Sequence, residues 1–344
     1  MNKFVNYEGL TFDDVLIEPK YSIVKSRSDC DILSSWGVLP FIPANMSTIS
    51  GPKIIKFISG LGGIGILHRY MSVSEMVSFT KSINDFQNGY IFISVGTLDN
   101  DKERIDKILE INKTHAWCLF NICIDIANGN CQAMVDTIKY IRDSEKKRNI
   151  DIIAGNVATS EATKRLQECG ADIIKVGIGS GSVCSTRIKT GIGVPQLTAL
   201  MNCAENGFVI ADGGFKYPGD MVKALACHRN VIGVMSGSFF AGTDLTPGWK
   251  GYGKIMEYAG MASKEEQIKF KGKFANAEGI SVKIKGKPKG STKAVIEELS
   301  EGLKSAMSYV GVNKLTDFAN EARFIKVSSH TPMENIPHFG LHKK

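Results

Sequence analysis

Short apolar runs rich in β-branched residues recur along the chain at residues 41–44, 64–67, 91–95, 119–124, 152–154, 173–176, 208–211 and 231–235. Between them, apolar positions recur with a helical period, as at 51–61, 74–83, 133–142, 160–169, 195–206 and 218–226. Continuous apolar strands imply burial on both faces, and strands alternating with helices imply parallel pairing. Eight such units predict an α/β fold, a (β/α)₈ TIM barrel in a single domain over 1–344. A doubly wound open sheet is the alternative this pattern leaves. After the eighth run the pattern loosens: residues 243–293 are rich in Gly and Lys, and a strong helix follows at 293–310. Stretches of that length in compact enzymes are commonly lids, so a mobile flap is expected at about 244–292, with a C-terminal tail at about 328–344.

The barrel reading gains weight from what stands at the ends of the runs. Barrel chemistry sits at the C-terminal ends of the strands, and phosphate is commonly held by the loops after strands seven and eight. Here the seventh run ends in Asp212-Gly213-Gly214 and the eighth in Ser236-Gly237-Ser238. The first ends in Asn45-Met46, the fourth in Asp125-Ile126-Ala127-Asn128-Gly129 and the fifth in Gly155-Asn156. The sixth runs into the glycine-rich loop Gly177-Ile178-Gly179-Ser180-Gly181-Ser182-Val183-Cys184-Ser185-Thr186-Arg187. Glycines let such a loop turn its peptide groups toward a ligand. A cysteine flanked by hydroxyls and a cation reads as a covalent nucleophile, with Arg187 favouring the thiolate. The plainer reading of Cys184 is a buried core thiol in a tight turn.

Composition narrows the setting. With 43% hydrophobic residues over 344 positions, the chain can bury a large core. The eight cysteines (30, 118, 123, 131, 169, 184, 203 and 227) form no CxxC pair, which disfavours disulfides and structural zinc. The first fourteen residues lack an apolar signal core and no run reaches membrane-spanning length, so a cytoplasmic protein is expected. The net charge of +7 resides mostly in residues 269–293 and the Lys343-Lys344 tail, without interleaved aromatics, so no nucleic-acid or membrane partner is expected.

From Leu10 to about Val327 the chain resembles the inosine-5′-monophosphate dehydrogenase and guanosine-5′-monophosphate reductase family. The resemblance is carried by Thr11-Phe12-Asp13-Asp14-Val15-Leu16, Asn45-Met46, Ala154-Gly155-Asn156-Val157, the stretch 175–187, Asp212-Gly213-Gly214 and Tyr309-Val310-Gly311. Only about two dozen residues separate the second and third runs, so the cystathionine-β-synthase-type modules usual in the dehydrogenases are not inserted there. Residues 264–277 contain neither the arginine nor the tyrosine with which dehydrogenases activate water. Lys25-Ser26-Arg27-Ser28, Ala44-Asn45-Met46 and the 125–129 loop also look like the reductase versions, although 322–330 reads more like a dehydrogenase. The reductase branch is therefore expected, in purine salvage, with a dehydrogenase lacking the extra modules and a non-catalytic purine-nucleotide sensor as alternatives.

For this chain the resemblance implies a catalytic set of Cys184, Thr186 and Glu278. It implies substrate contacts from Asn45, Ser182, Asp212, Gly213, Gly214, Gly237, Ser238, Gly260, Met261, Ala262 and Gly279. For NADPH it implies Ser26, Arg27, Arg69, Asp125, Ile126, Ala127, Gly179, Ser180, Met261 and Tyr309, Val310, Gly311 and Val312. It further implies a monovalent cation, K⁺, at Gly179, Gly181, Cys184 and Arg187, and a homotetramer. The chain departs from the reductase pattern at Ala275 and Ala277, where an arginine and a serine are usual, and at Ala262 in Gly-Met-Ala-Ser.

Overall fold

A computed structural model of the chain describes residues 5, 8–83, 89–114, 119–145, 150–251, 255–274, 276–284, 289–328 and 331–335. Ala275, part of the flap and most of the expected C-terminal tail lie outside the described residues. A short strand, β1 (Val15–Ile17), precedes eight parallel strands: β2 (Phe41–Pro43), β3 (Ile64–Leu67), β4 (Tyr90–Val95), β5 (Phe120–Asp125), β6 (Ile152–Val157), β7 (Ile173–Val176), β8 (Val209–Asp212) and β9 (Val231–Ser236). The eight lie in the order β2-β9-β8-β7-β6-β5-β4-β3. A parallel bridge between Leu39 and Gly63 brings the two ends of the sheet together, giving the (β/α)₈ barrel the apolar runs anticipate.

The runs are apolar throughout because neighbouring residues face two different apolar layers. Ile42, Ile64, Ile66, Phe92, Cys123, Ile153, Ile173, Ile210 and Ile232 fill the barrel interior. Their chain neighbours Ile91, Ile93, Ile122, Ile124, Ile152, Ile174 and Val209 pack outward under the helices. Each fully buried aliphatic side chain contributes about 1.5–3 kcal/mol by leaving water, so the two layers together define the strand register.

The outer ring comprises α1 (Pro52–Gly60), α2 (Val73–Lys81), α3 (Asp99–Thr114), α4 (Gln132–Ser144), α5 (Ser160–Glu168), the short α6 (Thr186–Thr190), α7 (Gln196–Ala204) and α8 (Pro218–Cys227). Local sequence starts them: Pro52 and Pro218 stand in first turns, and Ser72 with Glu75 closes a capping box on α2.

The expected flap region carries regular structure. It folds as a hairpin of β10 (Met256–Ala259) against β11 (Ser281–Ile284), with α9 (Lys264–Lys271) between them. Met256 and Tyr258 are buried while Glu257 faces out, an alternation the surrounding Gly and Lys obscure. Ser263 caps α9 and Gly272, at φ +70°, ends it. The chain then returns through α10 (Thr292–Val310) and α11 (Leu315–Glu321), and β12 (Phe324–Lys326) pairs with β1.

Candidate active site

The C-terminal ends of the strands open into a cavity of about 660 Å³ lined by Cys184, Asp212, Glu278 and most of the other expected site residues. That volume lies in the usual range for small-molecule sites. One wall is the glycine loop after β7. Gly177, Gly179, Gly213 and Gly214 have positive φ, and a Cβ on Gly177 would stand 2.2 Å from the Asp212 carbonyl, so the close approach of two loops requires glycine there. The Cys184 N–H donates to the Gly181 carbonyl at 3.0 Å, which brings the thiol back over the cavity.

Glu278 reaches Cys184 from the flap. Residues 278–280 lie as an extra strand between the cysteine loop and the 260–263 turn: Ser185 N–H donates to the Glu278 carbonyl at 2.9 Å, Ile280 N–H to the Val183 carbonyl at 2.9 Å, and Glu278 N–H to the Ala262 carbonyl at 3.1 Å. This register aligns three side chains. The Cys184 Sγ is 3.2 Å from the Thr186 Oγ1, and that hydroxyl donates to the Glu278 Oε2 at 2.9 Å. A thiol, a hydroxyl and a carboxylate in series form a path along which a proton can move between a reacting atom and Glu278.

Beneath the mouth sits a charged network that the sequence hid in a strand. Lys175, within the apolar run of β7 and 3% exposed, places its Nζ 2.8 Å from the Asp125 Oδ1 and 2.7 Å from the Asp212 Oδ2. Burial opposes the lysine's charge, but the two carboxylates outweigh it and raise its pKa. Burial likewise works against the Asp125 carboxylate, yet Lys175 and Arg69 hold its pKa below the ordinary value. Asp212 also accepts from the Asn156 Nδ2 at 2.8 Å, and its carbonyl accepts from the Ser180 hydroxyl at 2.7 Å. Its carboxylate is thereby fixed at the edge of the cavity.

A second set of donors converges on the loops after β8 and β9. The Ser182 and Tyr258 hydroxyls are 2.8 Å apart, and Tyr258 presses against Gly237, where a Cβ would stand 2.6 Å from its Oη. Gly237 and Ser238 begin a tight turn in which Phe240 and Ala241 donate back to the Gly237 carbonyl. The Phe239 N–H donates to the Ser236 hydroxyl at 3.3 Å, so the turn resembles the helix starts that bind anions only at its first two residues. Tyr258, Lys175, Asn156 and Tyr70 also line or brace the cavity, and none of them was assigned a role from sequence. A lone lysine inside a strand run and the alternation Met256-Glu257-Tyr258-Ala259 are the signals that point to two of them.

Asn45, Arg69, Asp125, Ile126, Ala127, Gly179, Ser180, Gly181, Ser182, Thr186, Gly213, Gly214, Gly237, Ser238, Gly260, Met261, Ala262 and Gly279 also line this cavity. Ser26, Arg27 and 309–312 do not line it. They gather on a separate patch, where the 310 turn Arg27–Asp29 packs on α10 and Lys20 N–H donates to the Tyr309 carbonyl at 2.9 Å. The Arg187 guanidinium donates to the carbonyls of Ile178 and Val194, and among the described residues it makes no hydrogen bond to the Cys184 thiol.

Residues 9–338 match the model of the IMP dehydrogenase / GMP reductase domain. The chain belongs to this family. Its relatives include the GMP reductase of Buchnera aphidicola subsp. Acyrthosiphon pisum (strain Tuc7), 36% identical over 339 residues that cover 93% of this chain and 94% of the relative. The GMP reductase of Klebsiella pneumoniae subsp. pneumoniae is 35% identical, covering 92% and 94%. That of Onchocerca volvulus is 35% identical, covering 95% and 93%. At two of the positions where a departure from the reductase pattern is expected, the Ala262 carbonyl accepts from Glu278 N–H and from the Gln267 side chain, and the Ala277 carbonyl accepts from Lys189.

Proposed function

We propose that the chain is an NADPH-dependent oxidoreductase that converts guanosine monophosphate to inosine monophosphate and ammonia. The observation that carries this reading is the Cys184–Thr186–Glu278 series, with a thiol at one end and a carboxylate at the other. Cys184 adds to C2 of the guanine ring, and Glu278 acting through Thr186 protonates the departing amine, leaving a thioimidate. The nicotinamide cofactor, when bound, supplies hydride to C2. The Cys184–C2 bond then breaks, the electron pair returns to sulfur and inosine monophosphate is released. Asp212, held by Lys175 and Asn156, accepts from the ribose hydroxyls. Ser182, Gly214, Gly237, Ser238 and Tyr258 surround the phosphate with neutral donors.

Arg69, Asp125, Ile126, Ala127, Gly179 and Ser180 share the cavity with Cys184, so they suit the nicotinamide end of NADPH. Ser26, Arg27 and 309–312 suit its adenosine end, with an arginine for the 2′-phosphate. The carbonyls of Gly179, Gly181 and Cys184 suit K⁺, since each carbonyl oxygen has a second lone pair to offer. A homotetramer in the cytoplasm, without nucleic-acid or membrane partners, completes the proposal. Among the described residues no helix is long and apolar enough to cross a membrane.

The absence of arginine and tyrosine from 264–277 favours amine departure over hydrolysis. The test is to incubate the purified protein with guanosine monophosphate and NADPH, follow the absorbance of the reduced cofactor and chromatograph the products. Inosine monophosphate with stoichiometric ammonia is expected. Sustained xanthosine monophosphate from inosine monophosphate and NAD⁺, with no oxidation of NADPH by guanosine monophosphate, moves the chain to the dehydrogenase branch. Nucleotide binding without any turnover makes it a sensor.

A further inference from the structure

The phosphate-loop donors described above are all neutral, yet a 5′-monophosphate arrives as a dianion near neutral pH. Of the three lysines that line the cavity, Lys175 is paired with Asp125 and Asp212, Lys216 with Asp13, and Lys271 stands at the end of α9 on the flap. A fourth lysine reaches the loop from behind. Lys289, where the flap returns to the barrel, donates its ammonium to the Ser238 carbonyl and lies 6.0 Å from the centroid of the Phe239 ring. Among the described residues no carboxylate is paired with it; burial lowers its pKa and the field of Glu298 partly opposes that.

The position of Lys289 is fixed by the backbone around it. Its N–H donates to the Gly242 carbonyl at 3.3 Å, and Asp244 N–H donates to the Gly290 carbonyl at 3.3 Å. Thr292 donates its N–H and hydroxyl to the Asp244 Oδ1 at 2.8 and 3.0 Å. These bonds join 289–292 to the segment that immediately follows the phosphate loop. The ammonium therefore sits on the carbonyl side of the Ser238 peptide group. Withdrawing density from a carbonyl polarises the peptide and strengthens its neighbours as donors, and an unpaired cation adds favourable field at the same place.

We infer that Lys289 is a positioning residue for the substrate phosphate: through the Ser238 carbonyl it orients the 237–239 turn and supplies the positive charge the neutral cradle lacks. This rests on the placement of a nucleotide monophosphate in the proposed function, which names no role for Lys289.

The experiment compares the parent protein with Lys289→Met, Lys289→Gln and Lys289→Arg. Calorimetry measures binding of guanosine monophosphate, inosine monophosphate and the two nucleosides, and steady-state kinetics with guanosine monophosphate and NADPH give KM and kcat. Lys289→Met is expected to weaken both monophosphates about ten-fold, to leave nucleoside binding within two-fold, and to raise KM with kcat within two-fold. Lys289→Gln, which keeps a donor but no charge, should match Lys289→Met, and Lys289→Arg should recover most of the loss. Raising the salt concentration should shrink the difference between parent and Lys289→Met. Equal losses for nucleosides and monophosphates, or Lys289→Gln binding like the parent, overturn the inference. If the parent binds neither monophosphate, the underlying reading falls instead. Circular dichroism on each variant identifies any that does not fold; Lys289→Gln and Lys289→Arg then carry the comparison.

Discussion

The barrel wall and the flap meet at Cys184 but are built by different means. On the barrel side, Asp212 is fixed by a buried lysine and an asparagine, on strands whose two faces are both packed. On the flap side, Glu278 depends on a few backbone hydrogen bonds between 278–280 and the two loops it lies between. Further holds come from α9 and its neighbours: the Ser47 hydroxyl donates to Glu266, the Tyr70 hydroxyl to the Met261 carbonyl at 3.0 Å, and the Tyr70 and Phe270 rings stack at 4.7 Å. The difference teaches a division of labour. Under the proposed function, the wall supplies the nucleophile and the nucleotide contacts, whereas the flap supplies the carboxylate for the departing amine.

The sharpest way to break this comparison is to remove the thiol that the wall contributes under the proposed function. Cys184→Ala should lower turnover by at least about a thousand-fold while nucleotide binding, by calorimetry, stays within a few-fold. Cys123→Ala should do far less to the chemistry, since that thiol is enclosed in the barrel interior and burial drives its pKa upward. Measurable hydride transfer above about a thousandth of the parent rate in Cys184→Ala contradicts the covalent route.

Next in size is the network under the mouth. Lys175→Met leaves the half-buried Asp125 and Asp212 without their shared cation, so denaturant unfolding should show a loss of about 3 kcal/mol. The nucleotide KM should rise with it, because Asp212 loses its orientation. A variant as stable as the parent shows that the wall does not rest on this lysine.

A smaller effect separates the wall from the flap by pH. His68 follows β3, is 8% exposed, and burial followed by the charge of Arg104 lowers its pKa to about 4. Between pH 6.5 and 4 the unfolded chain binds a proton that the folded chain does not, so stability falls as the pH falls through that window. The parent should therefore lose about 3 kcal/mol more than His68→Gln across it, read from denaturation midpoints at each pH. Parallel curves for the two proteins rule out the buried neutral histidine.

How legible these two regions were in the sequence follows from their construction. The strands of the wall are continuous apolar runs because they are packed on both faces, and their glycine- and aspartate-bearing ends fall where barrels place their chemistry. Lys175 was harder to read, since a charged residue inside a strand gives no hint of its partners, which come from two other strands. The flap was expected as a mobile segment after the eighth strand, and its regular elements were not read from the sequence. Its short β10 alternation and the capped α9 are surrounded by Gly and Lys, and its docking depends on long-range pairing that no local pattern encodes. Arg187 shows what sequence spacing leaves open: it stands three residues from Cys184, and the turn leads its guanidinium to the carbonyls of Ile178 and Val194.

The division of labour itself is tested most directly with Glu278→Gln, by mixing it with inosine monophosphate and NADP⁺ and recording the burst of reduced cofactor alongside the mass of the covalent adduct. This direction forms the thioimidate without ammonia, so it needs the wall's thiol but not the flap's carboxylate. A burst close to one equivalent per site is predicted, while turnover of guanosine monophosphate with NADPH falls about a hundred-fold. A burst that falls as steeply as turnover contradicts the account, because Glu278 would then serve the step assigned to Cys184 alone.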